Sequence, residues 1–168
     1  MGNFDISLPP NLKRSIKMQS LIGNIDARVD AKGRAFLPAQ LRKQLADCKS
    51  FVLRKDIFCN CLVLYPESTW DEMVSALRRN LNSWNREQAQ VFRQFVSEAD
   101  RIETEENGRM LIPRRYIDAL GIKSDIRFVG SDQTIEIWPA GKIEETFTDA
   151  DNFAKNIERL MEGKPATE

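Results

Sequence analysis

Two arginines in matching contexts carry the chemistry that is easiest to recognise in this sequence. Each directly follows a glycine and stands four positions after an acidic residue, in the sets Asp30, Gly33, Arg34 and Glu105, Gly108, Arg109. A guanidinium presents a planar fork of donors that can bind a phosphate, or O6 and N7 of guanine, through two parallel hydrogen bonds. This pattern indicates recognition of a nucleic acid.

The two arginines belong to a longer stretch that occurs twice. Residues 30–38 and 105–113 align with each matched pair 75 positions apart, and both copies end in an apolar run that enters a proline. Apolar residues follow each proline at helical spacing. Two collinear copies indicate an internal duplication, which determines how the rest of the chain is interpreted.

The acidic residue and the glycine of each copy are expected to shape a loop around the arginine. Gly33 and Gly108 suit a tight turn because glycine takes positive φ at little steric cost. Asp30 fits two roles: it orients the Arg34 guanidinium, or it caps backbone N–H groups of the turn. The simpler alternative is an exposed ion pair that only pins the turn and contributes about 0 to 1 kcal/mol.

The net charge is zero, but the charges are unevenly distributed. Lys and Arg number 25, as do Asp and Glu, whereas residues 1–55 hold eleven Lys and Arg against four Asp. Such a chain can present a basic face while it stays neutral overall, although ordinary solvated charges would give the same count. Lys32 and Arg28 stand close to Arg34 in the sequence. We expect both to add phosphate contacts.

The composition argues against an enzyme and against a metal or cofactor site. The sequence has no histidine, and so no Ser-His-Asp or Cys-His constellation and no mixed zinc site. The loop glycines are single, unlike the glycine-rich loops that bind nucleotide phosphates. We expect no catalytic activity, no small-molecule substrate, no metal and no cofactor.

The cysteines and the lack of a long apolar run indicate an intracellular protein. Cys48, Cys59 and Cys61 have no C-x-x-C spacing, and we expect reduced, mostly buried thiols. No apolar run reaches the roughly 18 residues that a membrane span needs. The sequence therefore predicts a soluble cytoplasmic protein.

Alternating apolar and polar residues place the two arginine loops between strands. A strand runs from residue 21 to the first loop, and a short second strand leads into Pro38, expected to be the first residue of a helix. Two further strands are predicted at 51–54 and 61–65. The second half repeats this order, with Asn107-Gly108 as a hairpin signal and Gly121 as the end of its helix.

Each half ends in a helical tail. The first contains apolar stripes after Pro66 and from Asn85; the second contains Phe153, Ile157 and Leu160 at helical spacing. Both stripes are interpreted as core or subunit contact. The predicted organisation is a flexible basic N-terminal extension (1–20), a first repeat with its helical tail (21–99), a second repeat with a C-terminal helix (100–162) and a frayed tail (163–168).

Each half has too few strands to cover a sheet alone. An exposed sheet edge invites pairing with another copy, so we expect the halves to interlock, one completing the sheet of the other. Interlocking would place Arg34 and Arg109 about a pseudo-twofold axis. Duplex DNA has local twofold symmetry of the same kind. The predicted fold class is α+β with a mainly β core.

The sequence resembles the MraZ family, a two-repeat relative of the AbrB and MazE swapped-hairpin DNA-binding proteins. The resemblance is carried by the Asp30-x-x-Gly33-Arg34 signature, its second copy ending in Gly108-Arg109, and the strand Cys61-Leu-Val-Leu-Tyr-Pro66. It implies two AbrB-like repeats interlocked into a swapped-hairpin, or double-split, β-barrel with peripheral helices.

The resemblance also implies a function. Family members are bacterial transcriptional regulators that bind direct repeats of double-stranded DNA in the promoter of the division and cell-wall gene cluster. They assemble into homo-oligomeric rings in the cytoplasm, on the nucleoid. The residues expected to contact DNA are Arg34, Arg109, Lys32 and Arg28; those expected to shape the loops are Asp30, Gly33, Glu105 and Gly108.

Two departures and one alternative stay open. The family has Asp where this chain has Glu105, one methylene longer and a poorer mimic of a backbone turn, so the equivalence of Arg109 to Arg34 is open. Family members start near Met18, so residues 1–17 are either an extension or a start assigned too early. The alternative function is an antitoxin-like barrel that binds another protein, with the C-terminal stripe as its docking surface.

Overall fold

The computed structural model describes residues 19–163, which form eight strands and five α-helices. The predicted N-terminal extension lies outside the described residues except for positions 19 and 20, as does the predicted tail beyond 163. In chain order the elements are β1 (Leu21–Arg28), β2 (Arg34–Phe36), α1 (Ala39–Gln44), β3 (Ser50–Lys55), β4 (Leu62–Pro66), α2 (Glu67–Arg79), α3 (Arg86–Ser97), β5 (Asp100–Glu103), β6 (Arg109–Leu111), α4 (Arg114–Leu120), β7 (Asp125–Asp132), β8 (Thr134–Pro139), a 3-10 turn (Glu144–Thr146) and α5 (Ala150–Met161).

The strands form a six-stranded antiparallel sheet and a separate two-stranded ribbon. The sheet order is β1-β7-β8-β4-β3-β5, and the ribbon pairs β2 with β6. The first strand of each half adds to the other half, because β1 pairs with β7 and β5 pairs with β3. The central pairs β4–β8 and β2–β6 also join the two halves. The predicted strand exchange between the halves and the α+β class are confirmed.

The sheet is open. Among residues 19–163, β1 and β5 form its two opposite edges, and no closed barrel is found. The two strands that lead into the ribbon are therefore far apart in the sheet order, and in the part of the chain that the structure describes the three-residue strands of the ribbon pair only with each other. This topology does not confirm the β-barrel that the family resemblance implies.

The main core lies on one face of the six-stranded sheet, beneath the ribbon and the short helices α1 and α4. Fully buried side chains from both halves meet there, among them Phe51 and Leu53 from β3 and Phe128 from β7. Ala35 and Met110 reach the same core from the inner face of the ribbon. The ribbon is therefore fixed from below by apolar packing while its other face stays exposed.

Prolines mark the change from strand to helix in a regular way. Pro38, Pro66 and Pro113 each precede the first helical residue, with ψ near 140° in all three. Pro38 is thus the capping residue rather than the first helical residue, which corrects the prediction by one position. Proline fits there because its fixed φ suits extended backbone as well as a helix. Gly121 ends α4 in the left-handed conformation, as predicted.

Helices α2 and α3 cover the opposite face of the sheet. Their predicted apolar stripes pack there around Trp70, whose ring stacks on Phe95 at 5.4 Å. The buried Arg54 guanidinium attaches this layer to the sheet by donating from Nε to the Phe95 carbonyl at 2.9 Å. Asn85 caps α3 by accepting from two backbone N–H groups. None of the helices in residues 19–163 is long and apolar enough to cross a membrane.

The structure narrows two burial predictions. The stripe on α5 was interpreted as core or subunit contact, and within residues 19–163 it is not part of the core: no residue of Ala150–Met161 is buried, and Phe153 and Leu160 are strongly exposed. The three cysteines are free, but Cys61 alone is buried, whereas Cys48 and Cys59 are half-buried. Apolar spacing shows that α5 has an apolar face but not that this chain covers it.

Candidate nucleic-acid interface

The first loop is organised by the carboxylate of Asp30. Its Oδ1 accepts hydrogen bonds from the backbone N–H groups of Lys32 and Arg34, both at 2.9 Å. Its Oδ2 accepts from Nε of the Arg34 side chain at 2.7 Å. Asp30 thus plays both roles that the sequence suggested, since it caps the turn and orients the guanidinium.

These contacts favour the ionised form of Asp30. The backbone N–H of Arg34 lowers the pKa of this carboxyl most, desolvation opposes it, and the Arg34 side chain lowers the pKa further. Because the folded-state pKa is below the usual value, the contribution of this group to stability is present above that value. It is lost as the pH falls through the lowered pKa. The loop geometry is therefore retained at neutral pH.

The way in which Arg34 is held leaves its binding edge open. Asp30 engages Nε, at the side of the guanidinium. Within residues 19–163, no hydrogen bond is found from the terminal nitrogens Nη1 and Nη2 of Arg34, and the side chain is 43% exposed. These two nitrogens form one edge of the fork that binds phosphate or guanine. The loop thus aims a bidentate donor at solvent.

In the second loop, two residues make the contacts that Asp30 makes alone in the first loop. Glu105 Oε1 accepts from Nη2 of Arg109 at 2.8 Å, and Asn107 Oδ1 accepts from the backbone N–H of Arg109 at 3.1 Å. The hydrogen bond that Arg109 donates to the Glu105 carboxylate raises the pKa of Arg109. The longer Glu105 side chain reaches a terminal nitrogen instead of Nε. Arg109 is therefore held differently from Arg34, and its terminal edge is partly occupied.

The ribbon brings both arginines to one face. Arg34 lies opposite Leu111, and Phe36 lies opposite Arg109. Side chains alternate across a strand, and the intervening residue Ala35 is fully buried. The exposed face of the ribbon therefore carries a two-by-two block, with an arginine at two diagonal corners and an apolar residue at the other two.

The loop glycines take the predicted backbone conformation. Gly33 and Gly108 have φ of +86° and +84°. The Gly33 N–H donates to the Asp30 carbonyl at 3.0 Å, and the Gly108 N–H donates to the Glu105 carbonyl at 2.8 Å. Each turn is thus closed in the same way, which shows that the duplication extends to backbone geometry.

The other two predicted DNA contacts differ in their surroundings. Lys32 lies at the tip of the first turn with an exposed side chain. Arg28 ends β1, and its Nε faces Asp125 Oδ1 at 3.3 Å in an ion pair that is largely exposed on both sides. The structure thus places Lys32 beside Arg34, whereas Arg28 has a partner of its own.

Sequence reasoning missed the arginines that brace the loops. Arg42 of the first half donates to the Leu37 carbonyl at 3.0 Å and to the Glu106 carbonyl of the second loop at 3.3 Å. Arg114 of the second half donates to the Ala31 carbonyl of the first loop at 3.3 Å. Each loop is therefore held by an arginine from the other half. Only the basic charge of these residues was visible in the sequence.

We expect Arg42→Ala to lower the free energy of unfolding by about 1 to 3 kcal/mol, because it removes charge-assisted hydrogen bonds to two carbonyls. Urea unfolding followed by circular dichroism measures the change. Lys43→Ala, at the exposed neighbouring position, is the control and should lie within about 0.5 kcal/mol of the parent chain. Equal losses in both variants would contradict a bracing role for Arg42.

The side chains exposed on this surface suit binding. Within residues 19–163, no group of three or more Cys, Asp and Glu side chains is arranged to hold a metal ion. The exposed groups around the ribbon are guanidinium donors, carboxylates that orient them, and two apolar side chains. Such a surface suits a polyanion with a structured edge.

Comparison with known proteins identifies the family of this chain. A family model described as "MraZ protein, putative antitoxin-like" matches residues 20–93 and 95–162. A transcriptional regulator MraZ from Bacteroides fragilis is 45% identical over 152 residues, which cover 89% of this chain and 96% of the relative. The protein of the same name from Bacteroides thetaiotaomicron is 46% identical over 146 residues, or 86% and 94% of the two chains. One from Christiangramia forsetii is 35% identical over 147 residues, again 86% and 94%. The chain belongs to the MraZ family.

Proposed function

We propose that this protein is a transcriptional regulator that binds double-stranded DNA in a sequence-specific way through its two arginine loops. The observation that carries the proposal is the ribbon, where Arg34 and Arg109 share one exposed face and are related by the internal repeat. The relatives bear the name transcriptional regulator, which supports regulation of transcription as the wider role.

Some residues of this surface contact DNA, and others hold the two loops in shape. Arg34 and Arg109 contact bases or phosphates, and Lys32 and Arg28 add phosphate contacts. The supports are the loop-shaping residues Asp30, Gly33, Glu105 and Gly108. Because Asp30 holds Arg34 by Nε and Glu105 holds Arg109 by Nη2, Arg34 is the stronger contact of the two.

The biological target belongs to the same proposal. The family resemblance supports direct repeats in the promoter of the division and cell-wall gene cluster, read by a ring of subunits on the nucleoid. Each subunit presents one ribbon, so a ring would engage successive repeats at high effective concentration. The interlocked strands of the two halves support the swapped-hairpin arrangement.

Fluorescence anisotropy with the promoter duplex of its own gene cluster tests the proposal, with a shuffled duplex as the control. We expect tighter binding to the promoter duplex, because base contacts add to phosphate contacts. The logarithm of the affinity should fall linearly with the logarithm of salt concentration, by about 0.9 for each phosphate contacted. Equal affinity for both duplexes would contradict sequence-specific binding.

The exposed face of α5 supports self-association. Phe153, Ile157 and Leu160 lie at helical spacing, and together with Phe147 they line an apolar groove that nothing in residues 19–163 fills. Apolar surface of this kind is characteristic of an interface.

We expect Ile157→Glu to lower the oligomer size, because it places a charge in this apolar face. Size-exclusion chromatography with light scattering measures the mass. Lys155→Glu, on the polar side of the same helix, is the matched control and should leave the mass unchanged. An unchanged mass for Ile157→Glu would exclude α5 from the subunit contact.

An antitoxin-like role is the second candidate, because the family description contains that term and the α5 groove could receive another protein. Affinity capture from cell lysate, with and without nuclease, separates the two functions. DNA binding predicts that captured material is lost after nuclease treatment. A stoichiometric protein partner that survives nuclease would favour the antitoxin-like role.

A further inference from the structure

Two large apolar side chains lie on the exposed face of the ribbon, and contacts of the arginines with DNA do not account for them. Phe36 is 54% exposed and Leu111 is 57% exposed, although the ribbon residue beside each of them is buried. Single exposed apolar residues are common on protein surfaces. Here, however, the two occupy matching corners of one block whose other corners are Arg34 and Arg109.

We propose that Phe36 and Leu111 read the 5-methyl groups of thymines in the major groove. This inference rests on the proposed function and adds a second kind of sequence reading to it, in which the arginines bind guanine or phosphate and the apolar pair selects thymine. Thymine is the base that presents a methyl group in the major groove, and apolar side chains are its usual partners in protein–DNA complexes.

The dimensions of the ribbon fit this role. The major groove admits a two-stranded β-ribbon. Along one strand, Arg34 and Phe36 point the same way and are about 7 Å apart, roughly twice the 3.4 Å rise of a base pair. The two side chains of a strand therefore reach different base pairs. Leu111 also lies close to the first loop, since its Cδ1 is 3.6 Å from the place where a Cβ on Gly33 would stand.

The charges around the block favour DNA over a protein as the occupant. Each apolar side chain lies directly opposite an arginine that is itself paired with a carboxylate. A protein that covered Phe36 and Leu111 would also bury both arginines with their acidic partners, which is costly unless every charge is satisfied. Duplex DNA instead offers acceptors to the arginines and methyl groups to the apolar pair at the same groove.

The test uses two versions of the promoter duplex, one with thymine and one with uracil at every thymine position. Uracil lacks only the methyl group, so the wild-type chain should bind the uracil duplex about fourfold more weakly for each methyl it contacts. The double variant Phe36→Ser/Leu111→Ser should bind the thymine duplex more weakly than wild type. It should also bind the two duplexes equally well.

Ile22→Ser is the matched control. Ile22 is an exposed apolar residue on β1, 67% exposed and six positions before Arg28, so its loss should leave both affinities unchanged. Circular dichroism and the melting temperature establish that all variants are folded.

The results distinguish this inference from the proposed function. Arg34→Ala should weaken binding to both duplexes so far that much higher protein concentrations are needed to measure it, and at those concentrations the preference for thymine should persist. Equal binding of both duplexes by wild type would overturn the inference and leave the proposed function standing. A thymine preference that is equally large in the double variant would also overturn it, because the methyl groups would then act elsewhere. If wild type binds neither duplex, the proposed function fails and the inference fails with it.

Discussion

Arg34→Ala should abolish binding to the promoter duplex at protein concentrations that saturate the parent chain. A bidentate arginine contact contributes roughly 1 to 3 kcal/mol of discrimination, which is about fivefold to 150-fold in affinity for each subunit. The variant also exposes the Asp30 carboxylate without its guanidinium partner, which adds repulsion toward phosphate. In an assembly that engages several sites, the losses multiply.

The fold should survive this substitution. The Arg34 backbone N–H still donates to Asp30, and the ion pair is too exposed to contribute much stability. Arg101→Ala is a matched control. Arg101 lies on the edge strand β5 and forms an exposed ion pair of similar length with Glu67 of α2. A band-shift titration should show loss of binding for Arg34→Ala only. Normal binding by Arg34→Ala would show that the site is assigned wrongly.

Gly33→Ala should lower the free energy of unfolding by roughly 2 to 5 kcal/mol, the largest effect on stability that we expect from one methyl group. Gly33 has φ of +86°, a conformation that costs an alanine about 1 to 2 kcal/mol. The new Cβ would also stand 2.6 Å from the Ile112 carbonyl oxygen. Moving that carbonyl disturbs the neighbouring hydrogen bond from the Ile112 N–H to the Gly33 carbonyl, so the ribbon would open where the first loop joins β2.

Gly121→Ala separates the two causes. Gly121 also has positive φ, at +64°, but nothing lies within 4 Å of the added Cβ. Its cost should therefore be the backbone strain alone, about 1 to 2 kcal/mol. Urea unfolding of both variants measures the difference. Equal losses would mean that the close approach of the ribbon to Gly33 has no energetic consequence.

The loops could be predicted from the sequence because their determinants are local. Gly33 marks a turn by its backbone freedom, Asp30 stands at the right spacing to cap it, and the alternation before and after predicts strands. The repeat then placed Arg109 by analogy with Arg34. The helices that follow Pro38 and Pro66 were predictable for the same reason, to within one residue.

The remaining features depend on contacts between distant parts of the chain. Alternation shows which face of a strand is buried but not which strand lies beside it, so the open sheet with β1 and β5 at its edges was not predictable. The bracing contact of Arg42 with Glu106 spans 64 positions. Glu105 is one methylene longer than Asp30, and this difference suggested that the two loops are not equivalent. The hydrogen bond from the Arg109 N–H to Asn107 appeared only in the structure.

Hydrogen–deuterium exchange of the full chain, with and without the promoter duplex, tests most directly the claim that both loops form the DNA-binding surface. Peptides that cover residues 28–37 and 105–112 should exchange more slowly when the duplex is bound, with the larger change in the first loop, where Arg34 presents its open edge. Peptides from α3 should be unchanged. Binding of the duplex with slower exchange elsewhere and no change in either loop would contradict the account.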